Sequence, residues 1–246
     1  MKREGVVFET NNCGKAVIVS VVNTEQVIVK FLDTGFMKKV HYSALKNGGV
    51  KDPMCRSIYG VGYLGDGEFK TRTNGKLNRD YSVWRGIFDR CYMEPRPLKF
   101  ASYSECTVHP EWHNMQNFCN WYRDNYIEDY ELDKDIISQG NKVYGPDTCM
   151  FVHPLVNSFF SNSRVSRGDS LIGSSFNHAL GKYESYCSDT FTGKKVNLGL
   201  FDSQVDANKE WVKYKKRLCK KLIDEGYVHS EELRNMLINY EWEKVL

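Results

Sequence analysis

Three runs toward the C-terminal end of the chain alternate polar and apolar side chains with a period of two: 173–177, 181–187 and 194–198. Such alternation predicts half-buried strands. In the third run Val196 and Leu198 face one way and Lys195 and Asn197 the other. A turn containing Gly199 is expected to end it, and Ser203 can cap the amphipathic helix expected over 204–222. In the second run Tyr183, Ser185 and Cys187 share the inward side, which leaves Lys182, Glu184, Tyr186 and Ser188 outward. Ser175 and Asn177 are the outward pair of the first. Tyr183, Val196, Leu198 and Phe201 should pack on Val205, Trp211, Val212 and Tyr214, so residues 166–246 are expected to fold alone.

Earlier in the chain, short strands are expected at 5–9, 15–22, 26–32 and 36–42, with turns at 23–25 and 33–35. That pattern suggests a small SH3-like β barrel. Residues 56–79 carry glycines at 60, 62, 65 and 67 and end in a basic stretch, 70–79. Neither a P-loop lysine nor a strand-to-helix context is present, so this segment reads as a linker or extended arm. Helical spacing puts Trp84, Ile87, Phe88 and Cys91 on one face of 81–92, and Trp112, Met115, Phe118, Cys119 and Tyr122 on a helix over 111–122. Pro95 and Pro97 break the first helix. A short strand is expected at 107–108, and strands at 132–137 and 149–152 flank a polar loop, 138–148. A helix starts at Pro154, a residue well suited to a first turn. The class is α+β.

Composition adds constraints. No apolar run approaches a membrane span, and Met1-Lys2-Arg3-Glu4 lacks a signal-peptide core, so no membrane partner and a cytoplasmic location are expected. The cysteines lie singly with no CxxC pair, which favours buried thiols over a disulfide framework. Cys91, Cys106, Cys119 and Cys149 with His109 or His113 fit no zinc spacing, so zinc is not expected. Between 164 and 224 there are 12 Lys+Arg against 7 Asp+Glu, whereas 225–246 has 2 against 5. The basic segment is placed to meet phosphates or, equally, to form a solvated basic helix.

Three strands and then one amphipathic helix, joined through Leu198-Gly199-Leu200-Phe201-Asp202, resemble the AP2 DNA-binding domain. The resemblance implies double-stranded DNA as partner, with the sheet in the major groove. Ser175, Asn177, Lys182, Tyr186, Lys195 and Asn197 match the DNA-reading positions. Arginines of the family pattern are largely replaced by Ser, Asn and Tyr. Guanine is read by Arg or Lys and adenine by Asn, so any preference should be weaker or differently directed.

The central layout of strand, long loop holding Asn141, strand, and helix carrying Asn157 resembles the ββα-metal or HNH nuclease motif. With Trp84, Arg90-Cys91-Tyr92, Glu111-Trp112 and Phe118, this region is similar to the HNH homing endonucleases of bacteriophages, where the two modules occur in this order. The resemblance implies one divalent metal, Mg or Mn, between Asp133 and Asn157, and a histidine base beside the aspartate. Lys134 occupies the histidine position. An ammonium with a pKa near ~10.4 cannot accept a proton at neutral pH. Three readings stay open. The chain is a nuclease that lost its base and kept its DNA-binding frame. Or it cleaves with His153, Asp135 or a Lys134 whose pKa burial has lowered. Or residues 133–135 are a solvated charge cluster.

The expected organisation is 1–55 barrel, 56–79 linker, 80–165 HNH-like module, 166–224 AP2-like domain and 225–246 acidic helical tail. The expected function is binding of duplex DNA in a host cell by a protein derived from a phage endonuclease. A rival reading is an interaction factor that engages a host protein, supported by the acidic tail (Glu225, Glu231, Glu232, Glu241, Glu243).

Overall fold

The computed structural model describes residues 3–138, 140–160 and 171–240. The expected joint at 165–166 and the tail residues Glu241 and Glu243 lie outside the described residues. The architecture is α+β with several small sheets. Contacts divide the chain into two compact units, Met1–Asn125 with Lys142–Asp147, and Tyr126–Asn141 with Thr148–Leu246. No helix among the described residues is long and apolar enough to cross a membrane.

The first unit begins with an antiparallel meander, β1 (Val7–Glu9), β2 (Lys15–Asn23), β3 (Gln26–Phe31) and β4 (Met37–Val40). Alternation sends Ala16, Ile18, Val27, Val29, Phe31 and Val40 to one face, where Leu45 and Val50 complete a buried cluster. Leu45 arrives on α1 (Tyr42–Lys46), a short helix that the strand pattern did not announce. The segment read as a linker is tied down. Gln116 donates through Nε2 to the carbonyls of Leu64 and Phe69, and its Oε1 accepts from the Phe69 N–H. The segment ends in a hairpin of β5 (Arg72–Thr73) and β6 (Lys76–Leu77).

From there α2 (Arg79–Tyr92) buries Trp84, Ile87, Phe88 and Cys91, as its spacing predicts. After β7 (Thr107–Val108), a 3-10 turn at Pro110–His113 leads into α3 (Met115–Asn125). The second helix is thus split, with Trp112 on the turn and Met115, Phe118, Cys119 and Tyr122 buried on α3. Trp84 Nε1 donates to the Trp112 carbonyl at 2.7 Å, joining the two aromatic faces.

The second unit opens with β8 (Glu131–Asp133). The chain then places β9 (Val143–Tyr144) in the first unit, parallel to β7, and resumes the second with β10 (Met150–Val152) and α4 (Pro154–Phe160). Then come β11 (Ser174–Asn177), β12 (Lys182–Ser188), β13 (Lys195–Phe201), α5 (Gln204–Asp224) and α6 (Glu231–Ile238). One apolar core runs through all of this: Val152, Val156 and Phe159 pack with Ile172, Cys187, Trp211, Leu218, Leu222, Leu233 and Leu237. The apolar contacts of α5 therefore extend upstream of residue 166, and Val205, expected in the core, is 51% exposed.

Candidate nucleic-acid interface and candidate metal site

β8 and β10 pair antiparallel with Asp133 opposite Met150. Asp133 ends its strand, and its Oδ1 accepts the backbone N–H groups of Asp135 at 2.7 Å and Ile136 at 2.8 Å. The carboxylate thus caps a tight turn. Burial raises its pKa, while those two hydrogen bonds act in the opposite sense. Lys134 is not solvated: its residue is only 7% exposed. Its Nζ donates to Asp135 Oδ1 at 2.6 Å and to the Asn141 carbonyl at 2.8 Å, and Asn141 Nδ2 returns a bond to the Lys134 carbonyl at 2.9 Å. Lys134 and Asn141 staple the long loop across its base. The Lys134 nitrogen is engaged as a donor to a carboxylate and a carbonyl. The arrangement also departs from a solvated cluster, since the charge is sheltered and paired.

His153 precedes α4, and its Nδ1 accepts the Leu155 N–H at 3.2 Å. The lone pair a general base would use is engaged in capping the helix. The ring packs on Tyr227, 4.7 Å between centroids, and on Tyr130 at 5.5 Å. Tyr130 in turn meets His229, whose pKa burial lowers. Asn157 Nδ2 donates to Glu131 Oε2 at 2.8 Å. Glu131 and Asp133 share a face of β8 by alternation, so Asn157 is anchored two positions before the aspartate. For a divalent cation this donor set is thin. Asp133 Oδ1 is occupied by two N–H groups, and among the described residues no group of three or more His, Cys, Asp or Glu side chains could hold a metal. Mg²⁺ keeps several waters and takes one or two protein carboxylates, and the oxygen that Asp133 leaves outside these two bonds is Oδ2.

The sheet is ordered β11-β12-β13 with α5 against one face. Ser203 Oγ accepts the Asp206 N–H at 3.1 Å and starts α5 where its sequence placed it. Trp211 on α5 reaches the start of β11 at Gly173, where a Cβ would lie 2.0 Å from the Trp211 Cγ, and φ is +73°. Only glycine admits both the close approach and the left-handed backbone.

On the open face the register builds four rows across the strands. Asn177 stands beside Lys182, Ser175 beside Glu184 and Leu200, and Tyr186 beside Asn197. Lys195 lies opposite Ser188, and its Nζ sits 4.1 Å from the centre of the Tyr186 ring. The expected outward residues are therefore on one face, but several are already engaged. Lys182 pairs with Asp202 at 3.0 Å, Asn197 Oδ1 accepts the Gly199 N–H at 2.8 Å, and Asn177 bonds Glu184 and caps the β11–β12 turn. The strand does not end at Gly199. A bulge lets Ser185 pair with Gly199 and Tyr186 with Asn197, so Leu198 is the extra residue. Beyond it the faces exchange: Leu200 turns out, 47% exposed, and Phe201 turns in.

The residues missed by sequence reasoning include Glu131 and Tyr227, which carry no motif, and Lys215, buried on α5 at the position of a solvated lysine run. The hairpin at Asn74-Gly75, in the segment read as a linker, was missed too, although an Asn-Gly pair between short extended runs is the strongest local sign of such a turn. Comparison of the chain with protein-family models, curated proteins and solved structures finds no match.

Proposed function

We propose that this chain binds duplex DNA through the open face of β11–β13 and has no working nuclease centre at Lys134. The observation that supports it best is the layering: an antiparallel three-stranded sheet is covered by α5 on one side and open on the other, where Lys195, Tyr186, Ser175 and Asn197 stand together. On this reading the second unit combines an HNH-like strand pair and helix with an AP2-like sheet, and the N-terminal meander is an SH3-like module. Lys195 meets a phosphate, and Tyr186 orients its ammonium by cation–π attraction. Lys134 stands where the resemblance calls for a base, and its ion pair with Asp135 makes it a structural cation. The chain is then a phage-type DNA binder of the host cytoplasm derived from a homing endonuclease.

The experiment is a mobility shift on duplex DNA at rising salt, run with and without Mg²⁺ or Mn²⁺ and scored for nicking. Salt-sensitive binding without nicking is expected; cleavage by the natural protein would reject the loss of activity. A second reading, docking of a host protein, is favoured by one feature: Glu184 and the exposed Leu200 lie in the middle of the face. A carboxylate there opposes phosphate, and an apolar side chain suits a protein surface. Binding unaffected by salt, together with no shift of DNA, would favour it.

A further inference from the structure

We propose that the β5–β6 hairpin of the first unit is a second contact to duplex DNA, seated in a groove between its two phosphate walls. The inference rests on the DNA-binding reading of the chain but not on the sheet. Lys70, Arg72, Lys76 and Arg79 are all exposed. No acidic residue occurs between Glu68 and Asp80. Among the described residues no carboxylate pairs with Lys70, Arg72 or Lys76. The contrast with α5 is informative, since Lys209, Lys213, Arg217 and Lys220 there are laced to Asp206, Glu210 and Asp224. α5 stays net basic, with seven Lys and Arg against three Asp and Glu, but these four cations share its carboxylates, whereas Lys70, Arg72 and Lys76 meet none among the described residues.

The hairpin is also built to hold its shape. Asn74 and Gly75 have φ of 50° and 78°, the two left-handed residues of a type I′ turn, and Arg72 Nη1 donates to the Gly75 carbonyl at 2.8 Å. Asn78 closes the other end, its N–H to the Thr71 carbonyl at 3.0 Å and its Nδ2 to that of Lys70 at 2.6 Å. Phe69 anchors the base to Gln116. A ribbon ordered before binding avoids much of the entropy cost of contact.

Register decides the kind of partner. Arg72 lies opposite Leu77 and Thr73 opposite Lys76, so the two cations project from opposite faces. A ribbon lying flat on a protein would bury only one of those faces. A ribbon in the major groove, which is wide enough for two strands, meets phosphates on both sides. Thr73 and Asn74 supply hydrogen-bonding groups at the tip, where the ribbon points to the base edges.

The test uses the full chain and fluorescence anisotropy on a mixed-sequence duplex over a salt series. Lys70→Ala/Lys76→Ala keeps the Arg72 bond to Gly75; Lys38→Ala/Lys39→Ala removes the same charge from β4. The hairpin pair should weaken binding at least tenfold and lower the slope of log K against log salt by about 2, at about 0.9 per phosphate. The β4 pair should change neither. If the hairpin pair binds as the natural protein does while Lys195→Ala loses affinity, the hairpin is overturned and the sheet reading stands. Loss in the hairpin pair with Lys195→Ala unchanged supports the hairpin and removes the sheet. No salt-dependent binding by the natural protein overturns both. Loss of binding to phosphatidylserine vesicles but not to duplex would also overturn the hairpin's assignment to DNA.

Discussion

Lys215 places its Nζ 2.6 Å from the carbonyl oxygen of Phe159 and 4.3 Å from the centre of that ring. A lysine of α5 is thereby buried against the last turn of α4, with Trp211 on its other side at 5.5 Å. Burial pushes its ammonium down to about 8, with the Cys187 sulfur acting the other way. The charged form is thus disfavoured in the fold and free in the unfolded chain.

The sign of the pH dependence follows. Below pH 8 both states are protonated and the fold carries the whole penalty. Between about 8 and the ordinary 10.5 the fold sheds the proton first, so stability rises with pH. The shift corresponds to about 3 kcal/mol at pH 7, partly offset by the bond to Phe159. Lys215→Met should gain about 1–2 kcal/mol at pH 7. Its advantage should shrink toward pH 10. Urea unfolding of both proteins at several pH values measures this; a pH-independent difference would show that the ammonium is not the cause.

The shared core changes what a fragment should do. Residues 166–246 lack Val152, Val156 and Phe159, three fully buried side chains of the second core. Exposing the surfaces they cover costs about 1.5–3 kcal/mol for each side chain, a large part of a small domain's stability. A 166–246 fragment is expected to be poorly packed, with broad amide signals. A cooperative thermal transition in that fragment alone would refute this.

Much of the layout was legible because it depends on periodicity. Trp84, Ile87, Phe88 and Cys91 fall on one face whatever the rest of the chain does, and Ser203 caps α5 through a local bond. What depended on distant partners was not legible. Nothing in the alternation of β13 marks Leu198 as a bulge, because the extra residue exists only relative to β12. The parallel pairing of Thr107–Val108 with Val143–Tyr144 joins strands too short to show a period. At the candidate metal site the sequence named Asp133 and Lys134, but the bonds that occupy them come from Asp135, Ile136 and Asn141, within the loop that the chain must first fold.

Charge on the open sheet face gives the next test. Glu184 sits between Ser175 and Leu200, and its carboxylate opposes any phosphate laid across the strands. Glu184→Gln should tighten DNA binding about threefold at low salt, while Lys195→Ala should weaken it on every sequence and reduce the salt slope by about 0.9. Anisotropy titrations read both. Should neither variant move the affinity, the face is not the contact and the protein-docking reading gains.

The last test concerns cleavage. The natural protein is expected to leave supercoiled plasmid intact in Mg²⁺ or Mn²⁺, because the nitrogen at position 134 is a paired donor and His153 Nδ1 is engaged with Leu155. Replacing Lys134 by His supplies an acceptor with a pKa near ~6.5, which suits neutral pH. Asp133 Oδ1, however, still accepts two N–H groups of the turn, so Lys134→His alone should remain inactive. It should also lose stability, about 1–2 kcal/mol once the half-exposed Asp135 is allowed for, because the Asn141 carbonyl loses its buried donor. Plasmid nicking and urea unfolding of the same preparations separate the two effects. Nicking by the natural protein would mean that the site rearranges on DNA, and its loss in His153→Ala would identify the base. Nicking gained only by Lys134→His, and abolished by Asp133→Ala, would instead show that a histidine is all this centre lacks.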